Sequence, residues 1–232
     1  MKHWVITDIH GCVKTFERLL EKVEFNRQDT LYLLGDYIDR GPDSKGVLDL
    51  ILQLKKTRHN VHCLLGNHEI MMLHALNNPT SQEAYFWIHY NGGDTTLKSF
   101  NAEHPKEIDS EYIDFILKMA HYQEVDRYIL VHAGLNLSIE DPFSDKDAML
   151  WIRGDQKLNK KWLGERIILH GHTPQIKRRL ETGVKQIEKH PIVGLDCGCV
   201  YPREGMNYLC ALELQSHRLV FQKNIEDQTS AG

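Results

Sequence analysis

The sequence predicts an α/β fold in which strands and helices alternate along the chain. In the first third of the chain, short apolar runs typical of buried strands are each followed by apolar residues at helical spacing. Further apolar runs return after residue 126, and no Pro/Gly/Ser-rich linker interrupts the sequence. We therefore expect a single domain over residues 1–232 with two packed sheets.

The first part of the chain contains β-loop-α units. Strands are predicted where the apolar runs lie, at residues 3–7, 31–34 and 61–65. A helix is expected after each strand: one with apolar residues from Phe16 to Val23, one beginning after Ser44, and one passing through Met71 and Leu76. Repeated units of this kind favour parallel strands joined by right-handed crossovers.

The pattern changes in the middle of the chain. Residues 77–126 contain a cluster of aromatic residues, a Gly92-Gly93 break and apolar residues at helical spacing near Ile113, which predicts a helical insertion. Strands are expected again at residues 128–131, 167–170 and 192–195. Residues 208–212 and 219–221 are predicted to form an antiparallel pair that closes the chain.

Composition is that of an ordinary globular protein. Of 232 residues, 41% are hydrophobic and 26% charged, and the net charge of −4 provides no basic field for nucleic acid. No apolar run approaches the roughly 20 residues of a membrane span, and the first residues are too polar for a signal peptide. We expect a cytoplasmic protein with no nucleic-acid or membrane partner. The five cysteines lack C-x-x-C spacing, which favours free thiols.

Short polar motifs follow the predicted strands. In α/β proteins, the loops at the carboxyl ends of strands are where ligands bind. The motifs are Asp8-Ile9-His10-Gly11, Gly35-Asp36-Tyr37-Ile38-Asp39-Arg40-Gly41, Gly66-Asn67-His68-Glu69, Val131-His132-Ala133-Gly134 and Gly171-His172-Thr173. Each motif alone is typical of a turn, but five in succession indicate a shared site.

The residue types in these motifs indicate a site for two divalent cations. Asp8 and His10 are two positions apart, so in extended backbone their side chains point the same way. The carboxylate of Asp36 can bridge two metals about 3.5–4 Å apart. The predicted ligand sets are Asp8, His10 and Asp36 for one metal, and Asp36, Asn67, His132 and His172 for the other. Nitrogen and oxygen ligands of this kind admit Mn, Fe or Zn.

These motifs, in this order, resemble the signature set of the calcineurin-like metallophosphoesterases, and in particular the compact bacterial and phage branch of the PPP-type serine/threonine phosphoprotein phosphatases. The match runs from Asp8 to about Val200. The resemblance implies two packed mixed β-sheets, a β-sandwich, flanked by α-helices. It also implies a two-metal centre often activated by Mn²⁺, and catalysis without a phosphoenzyme.

The resemblance also assigns roles to individual residues. It implies the same six metal ligands as the spacing does. It makes His68 the proton donor to the leaving group, with Asp39 as its carboxylate partner. The residues that grip the phosphate are then Arg40 and Arg153.

The favoured function is hydrolysis of phosphoserine and phosphothreonine in a phosphoprotein or phosphopeptide. An alternative within the same fold is a symmetrical bis(5'-nucleosyl)-tetraphosphatase, a branch that, as the resemblance implies, typically lacks the acid found here at Asp39. Nucleotides are stable leaving groups that need little protonation, whereas a serine or threonine alkoxide needs a proton donor. A catalytically inactive interaction scaffold and a nuclease or phosphodiesterase are weaker alternatives, since no ligand is missing and no basic groove is evident. Oligomeric state is left open.

Overall fold

A computed structural model describes residues 1–154 and 158–226. In these residues the strands are β1 (His3–Ile6), β2 (Thr30–Leu33), β3 (Asn60–Cys63), β4 (Tyr122–Val125), β5 (Tyr128–Val131), β6 (Ile167–His170), β7 (Ile192–Gly194), β8 (Tyr208–Glu213) and β9 (Leu219–Lys223). The helices are α1 (Val13–Lys22), α2 (Ser44–Lys56), α3 (Asn67–Asn77), α4 (Gln82–Tyr90), α5 (Gly93–Ser99), α6 (Ser110–Leu117), α7 (Lys146–Trp151), α8 (Lys160–Leu163) and α9 (Lys177–Lys185).

The strands form two mixed sheets, which confirms the predicted fold class. In the first sheet the order is β3-β2-β1-β8-β9, and β1, β2 and β3 run parallel. Strand β8 is antiparallel to β1, and β9 is antiparallel to β8, as predicted for the end of the chain. The second sheet has the order β4-β5-β6-β7, in which β5, β6 and β7 are parallel and β4 is an antiparallel edge strand.

Side chains alternate across β1 and divide the core into layers. Trp4 and Ile6 belong to the apolar cluster that covers one face of the first sheet with α1 and α2. Val5 points to the other face, into a cluster that includes Leu130 and Leu169 of the second sheet. This period of two is the geometry of a strand buried on both faces. The two sheets therefore pack face to face as a sandwich.

Helices α1 and α2 each pack one apolar face against the core. In α1 the buried residues include Phe16, Leu19 and Leu20, at helical spacing. Helix α2 begins at an N-cap, where the side chain of Asp43 accepts a hydrogen bond from Gly46 N at 2.7 Å.

The region predicted as a helical insertion contains α4, α5 and α6, but it does not end as a helix. Residues Tyr122–Val125 form β4, which the sequence analysis did not predict because Gln123 and Glu124 interrupt any apolar run. The strand exists because its backbone pairs with β5, from Tyr122 opposite Val131 to Val125 opposite Tyr128. Helices α7, α8 and α9 were likewise not predicted.

Two further findings bear on the composition analysis. All five cysteine thiols are free. Within the described ranges, no helix has the length and apolar character of a membrane span.

Candidate metal centre and active site

The predicted site residues lie at the carboxyl ends of parallel strands in both sheets. Asp8 and His10 follow β1, Asp36 and Asp39 follow β2, and Asn67 and His68 begin α3 after β3. From the second sheet, His132 follows β5 and His172 follows β6. Face-to-face packing of the two sheets brings these strand ends together, so residues far apart in sequence share one cluster.

Asp36 lies at the centre of the cluster. Its Oδ1 is 3.4 Å from His132 Nε2, and its Oδ2 is 3.5 Å from His10 Nε2 and 3.8 Å from His68 Nε2. Among the described residues, two sets of three have donor atoms within 4.8 Å of one another: His10, Asp36 and His68, and Asp36, His132 and His172. Asp36 belongs to both sets, which is the arrangement a bridging carboxylate requires.

Asn67 and Asp8 complete the cluster in different ways. Asn67 Oδ1 lies 2.8 Å from His132 Nε2 and 2.9 Å from His172 Nδ1, so it faces the second set of donors. The carboxylate of Asp8 accepts from the His172 backbone N–H at 3.0 and 3.1 Å and from the Thr7 hydroxyl at 2.5 Å. Its negative charge also contributes, after burial, to raising the pKa of Asp36 well above the usual range.

The donor atoms fit divalent cations. His10 Nδ1 lies 2.9 Å from Ile38 O, and His132 Nδ1 lies 2.8 Å from Leu34 O. A carbonyl oxygen only accepts, so each Nδ1 carries the proton and each Nε2 directs a lone pair at the carboxylate of Asp36. Burial lowers the pKa of both histidines and so favours the neutral form that binds metal. Neutral imidazole nitrogens beside a carboxylate are a donor set that divalent transition metals bind.

His172 supports the same interpretation. Its Nε2 is buried and has no hydrogen-bond partner among residues 1–154 and 158–226. Burial first, and the neighbouring His132 second, lower the pKa of His172 to about 2, so its imidazole is neutral and available as a ligand.

His68 and Asp39 form a closely coupled pair. His68 Nδ1 is 2.6 Å from Asp39 Oδ2, and both side chains are buried. Burial raises the pKa of Asp39 to about 7, although hydrogen bonds from Thr96 and Trp87 oppose this shift. Burial and the positive charge of Arg40 lower the pKa of His68. The resemblance makes His68 a proton donor, whereas burial favours the uncharged form of both His68 and Asp39, so the 2.6 Å contact has to offset this effect when His68 is protonated.

Asp39 itself is enclosed by residues that the sequence analysis did not assign. Trp87 Nε1 donates to Asp39 Oδ2 at 2.8 Å, and Thr96 Oγ1 donates to Asp39 Oδ1 at 2.6 Å. The backbone N–H of Asp39 donates to Ser44 Oγ and Thr96 Oγ1, each at 2.9 Å. Trp87 and Thr96 come from α4 and α5, so the central helical region contributes directly to the site.

The two predicted arginines differ in placement. Arg40 is half-buried, and its Nη1 lies 2.8 Å from His10 Nε2 at the edge of the cluster. Arg153 follows α7 and is exposed, yet its positive charge contributes to lowering the pKa of His68, His132 and His172. In the described parts of the chain, neither arginine forms an ion pair with a carboxylate.

Glu69 is a further residue to which the sequence analysis gave no role, although it stands in the motif with Asn67 and His68. Its fully buried carboxylate accepts backbone N–H groups from Asp36, Tyr37 and Gly66, at 2.8–3.0 Å. Burial raises the pKa of Glu69 to about 7, and these backbone donors oppose the shift. Glu69 therefore ties the loop after β2 to the start of α3.

Backbone strain is concentrated at the site. Left-handed backbone is uncommon for residues other than glycine, and such residues cluster at active sites. Six of the ten predicted site residues have positive φ: Asp8 at 54°, His10 at 47°, Asp36 at 56°, Asp39 at 72°, Arg40 at 69° and His172 at 67°.

The sandwich fold and the converging Asp, Asn and His donors define the chain as a metal-dependent hydrolase of phosphoesters. Comparison with known families agrees: the model of the calcineurin-like phosphoesterases matches residues 1–204. The chain belongs to that family.

Similar proteins include a protein phosphatase and symmetrical tetraphosphatases. Serine/threonine-protein phosphatase 1 of Salmonella typhimurium is 32% identical over 187 residues, covering 77% of this chain and 81% of the relative. A symmetrical bis(5'-nucleosyl)-tetraphosphatase of Wigglesworthia glossinidia brevipalpis is 47% identical over 74 residues, covering 32% of this chain and 26% of the relative. A Buchnera aphidicola protein of the same name is 33% identical over 171 residues, covering 66% of this chain and 56% of the relative.

A solved structure supports the fold. A protein serine/threonine phosphatase from Saccharomyces cerevisiae superposes with a TM-score of 0.68, covering 97% of this chain and 81% of that chain. The sequence identity is 16%, so this likeness concerns the fold alone.

Proposed function

We propose that the protein is a phosphoprotein phosphatase that hydrolyses phosphoserine and phosphothreonine monoesters at a dinuclear metal centre. The observation that supports this choice is the His68–Asp39 pair, with its 2.6 Å contact and its enclosure by Trp87 and Thr96. A leaving alkoxide needs a proton, and an oriented imidazole is the group best suited to supply it near neutral pH.

The residues that would hold the two cations are Asp8, His10 and Asp36 on one side, and Asp36, Asn67, His132 and His172 on the other. Mn²⁺ is the cation we propose, and Fe or Zn also suits these ligands. When bound, a metal pair activates water for attack on phosphorus and neutralises phosphate charge.

The side chains of this protein have three tasks in the reaction. Arg40, at the edge of the cluster, binds the phosphate oxygens and stabilises the charge that develops on them, and Arg153 assists from the rim. His68 directs Nε2 toward the cluster and protonates the departing oxygen. Asp39 holds the His68 ring through Nδ1 and so fixes its orientation.

A second candidate function is symmetrical bis(5'-nucleosyl)-tetraphosphatase activity. The Wigglesworthia and Buchnera relatives favour it, and the same ligands and arginines would serve it. Asp39 argues for the phosphatase, because a departing nucleotide is a stable anion that needs little help from His68. An inactive scaffold is disfavoured, because Asp36 shares donor groups with His10, His68, His132 and His172. Asn67 and Asp8 contact the same histidines.

The two functions are separated by measuring hydrolysis of a phosphothreonine peptide and of diadenosine tetraphosphate side by side, in metal-stripped protein with and without added Mn²⁺. Mn²⁺-dependent release of phosphate from the peptide, without cleavage of the dinucleotide, is the expected result. Preference for the dinucleotide would replace the proposal with its alternative. Activity on neither substrate would favour the scaffold.

A further inference from the structure

The loop between β7 and β8 lies beside Arg40 and has a defined shape. Its base is closed by hydrogen bonds from Tyr201 N to Gly198 O at 2.9 Å and from Asn207 N to Gly198 O at 3.0 Å. Its tip is fixed to α9, where Lys177 N donates to Gly205 O at 2.7 Å. These hydrogen bonds fix the backbone of the loop and therefore the positions from which its side chains extend.

One side chain of the loop connects the catalytic arginine to a second arginine. The guanidinium of Arg40 lies 5.7 Å from the centre of the Tyr201 ring, and that of Arg203 lies 5.8 Å from the same ring. Both distances fall within the range of about 6 Å for a cation on an aromatic ring. Arg203 is exposed and Tyr201 is half-buried, so the arrangement extends from the cluster toward solvent.

Both charges are available to a ligand. Over residues 1–154 and 158–226, neither Arg40 nor Arg203 forms an ion pair with a carboxylate. A guanidinium matches the geometry of carboxylate and phosphate oxygens and binds them in a bidentate manner. Two guanidinium groups that form no ion pair in these residues and lie against one ring can therefore bind two anionic groups of one molecule.

We propose that Tyr201 and Arg203 form an outer anion subsite, which binds a second negative group of the substrate while Arg40 binds the phosphate that is cleaved. This inference rests on the proposed function and adds a requirement on the substrate. The second group is an oxygen anion: a carboxylate of an acidic residue near the phosphorylated residue, or a further phosphate of a polyphosphate chain.

The test compares Arg203→Met with Arg218→Met in the Mn²⁺-loaded protein. Arg218 is a matched control because it is also an exposed arginine without an ion pair in the described residues, but it lies in the β8–β9 turn. The substrates are a phosphothreonine peptide with flanking acidic residues, its counterpart with the neutral amides, and diadenosine tetraphosphate. For each variant we compare kcat/KM on the charged substrates with kcat/KM on the neutral peptide.

Wild-type protein is expected to prefer a substrate with a second charge. Arg203→Met should lower that preference about tenfold, the effect of one charge-assisted hydrogen bond, and Arg218→Met should retain it. A loss confined to the acidic peptide identifies the second group as a carboxylate, and a loss confined to the dinucleotide identifies it as a phosphate. An equal change on all three substrates, or none, would overturn the subsite.

Binding of tripolyphosphate, measured by calorimetry, separates this inference from the proposed function. If the wild type hydrolyses no substrate but Arg203→Met weakens tripolyphosphate binding about tenfold, the subsite stands and the proposed function fails. If the wild type is active but Arg203→Met changes neither the substrate preference nor the tripolyphosphate affinity, the subsite is refuted and the proposed function is unaffected.

The role of Tyr201 has its own pair of variants. Tyr201→Leu removes the ring that holds both guanidinium groups, so it should lower both the preference and the tripolyphosphate affinity. Tyr201→Phe retains the ring and should restore both. If the Tyr201→Phe protein behaves like the Tyr201→Leu protein, the ring does not position Arg203.

Discussion

Trp87→Phe tests whether α4 supports the carboxylate that orients His68. The Trp87 indole is fully buried, and its Nε1 donates to Asp39 Oδ2 at 2.8 Å. Phenylalanine keeps an aromatic ring in the site but removes the donor. A hydrogen bond to a charged group contributes about 1.5–3 kcal/mol, and leaving such a group unsatisfied is more costly than average. Part of any measured loss will also come from the smaller volume of the ring.

Trp4 provides the control for that volume. It is also fully buried, but its Nε1 has no hydrogen-bond partner in the part of the chain that the structure describes. Trp4→Phe thus removes the same atoms without breaking a hydrogen bond. We expect Trp87→Phe to be less stable than Trp4→Phe by about 2 kcal/mol, which for a chain of this size lowers Tm by about 4–8 °C more.

The assay is urea unfolding of both variants followed by circular dichroism, with the phosphopeptide rate measured in parallel. Because Trp87 donates to Asp39, whereas Trp4 lies within β1 and not in a loop that carries the site, only Trp87→Phe should also reduce kcat. Equal destabilisation of the two variants would refute the hydrogen bond, and unchanged kcat in Trp87→Phe would refute its importance for His68.

Three further predictions follow from the site. His68→Asn should lose far more activity on a phosphothreonine peptide than on p-nitrophenyl phosphate, whose leaving group needs no proton, and equal losses would make His68 a structural residue. Gly66→Ala should abolish Mn²⁺-dependent activity, because a Cβ at residue 66 would lie 2.3 Å from Asp36 Oδ1. The control Gly183→Ala should be tolerated, since its Cβ would have its nearest contact at 3.5 Å. An active Gly66→Ala protein would contradict the close approach of Gly66 to Asp36. Adding Mn²⁺ at 100 times its Kd to metal-stripped protein should raise the free energy of unfolding by about 2.7 kcal/mol, which is detected as a higher Tm. Asp36→Asn should remove most of that rise in Tm. An equal rise in the Asp36→Asn protein would exclude Asp36 as a ligand.

The positions of the candidate ligands could be predicted from sequence because each depends on a local pattern. An apolar run ends, a polar residue follows, and the carboxyl ends of parallel strands meet at one edge. The surroundings of Asp39 could not be predicted in this way. Trp87 and Thr96 are 48 and 57 positions from Asp39, and no spacing rule relates them to it. Strand β4 was missed for a similar reason, since its conformation depends on pairing with β5.

Ligand identity and ligand placement are separate properties of this site. Asp36 has a donor atom in both candidate metal sets, but its left-handed backbone at φ 56° is held by Glu69, whose carboxylate accepts the N–H groups of both Asp36 and Tyr37. Asp8 N and His10 N in turn donate to Gly35 O and Asp36 O, at 3.2 and 2.9 Å. Strained backbone persists only where surrounding hydrogen bonds determine it. Glu69 belongs to neither candidate metal set, yet its carboxylate joins the loop after β2 to the start of α3. The backbone bonds of Asp8 and His10 join the loop after β1 to the same loop, so these contacts together set the spacing of the candidate ligands.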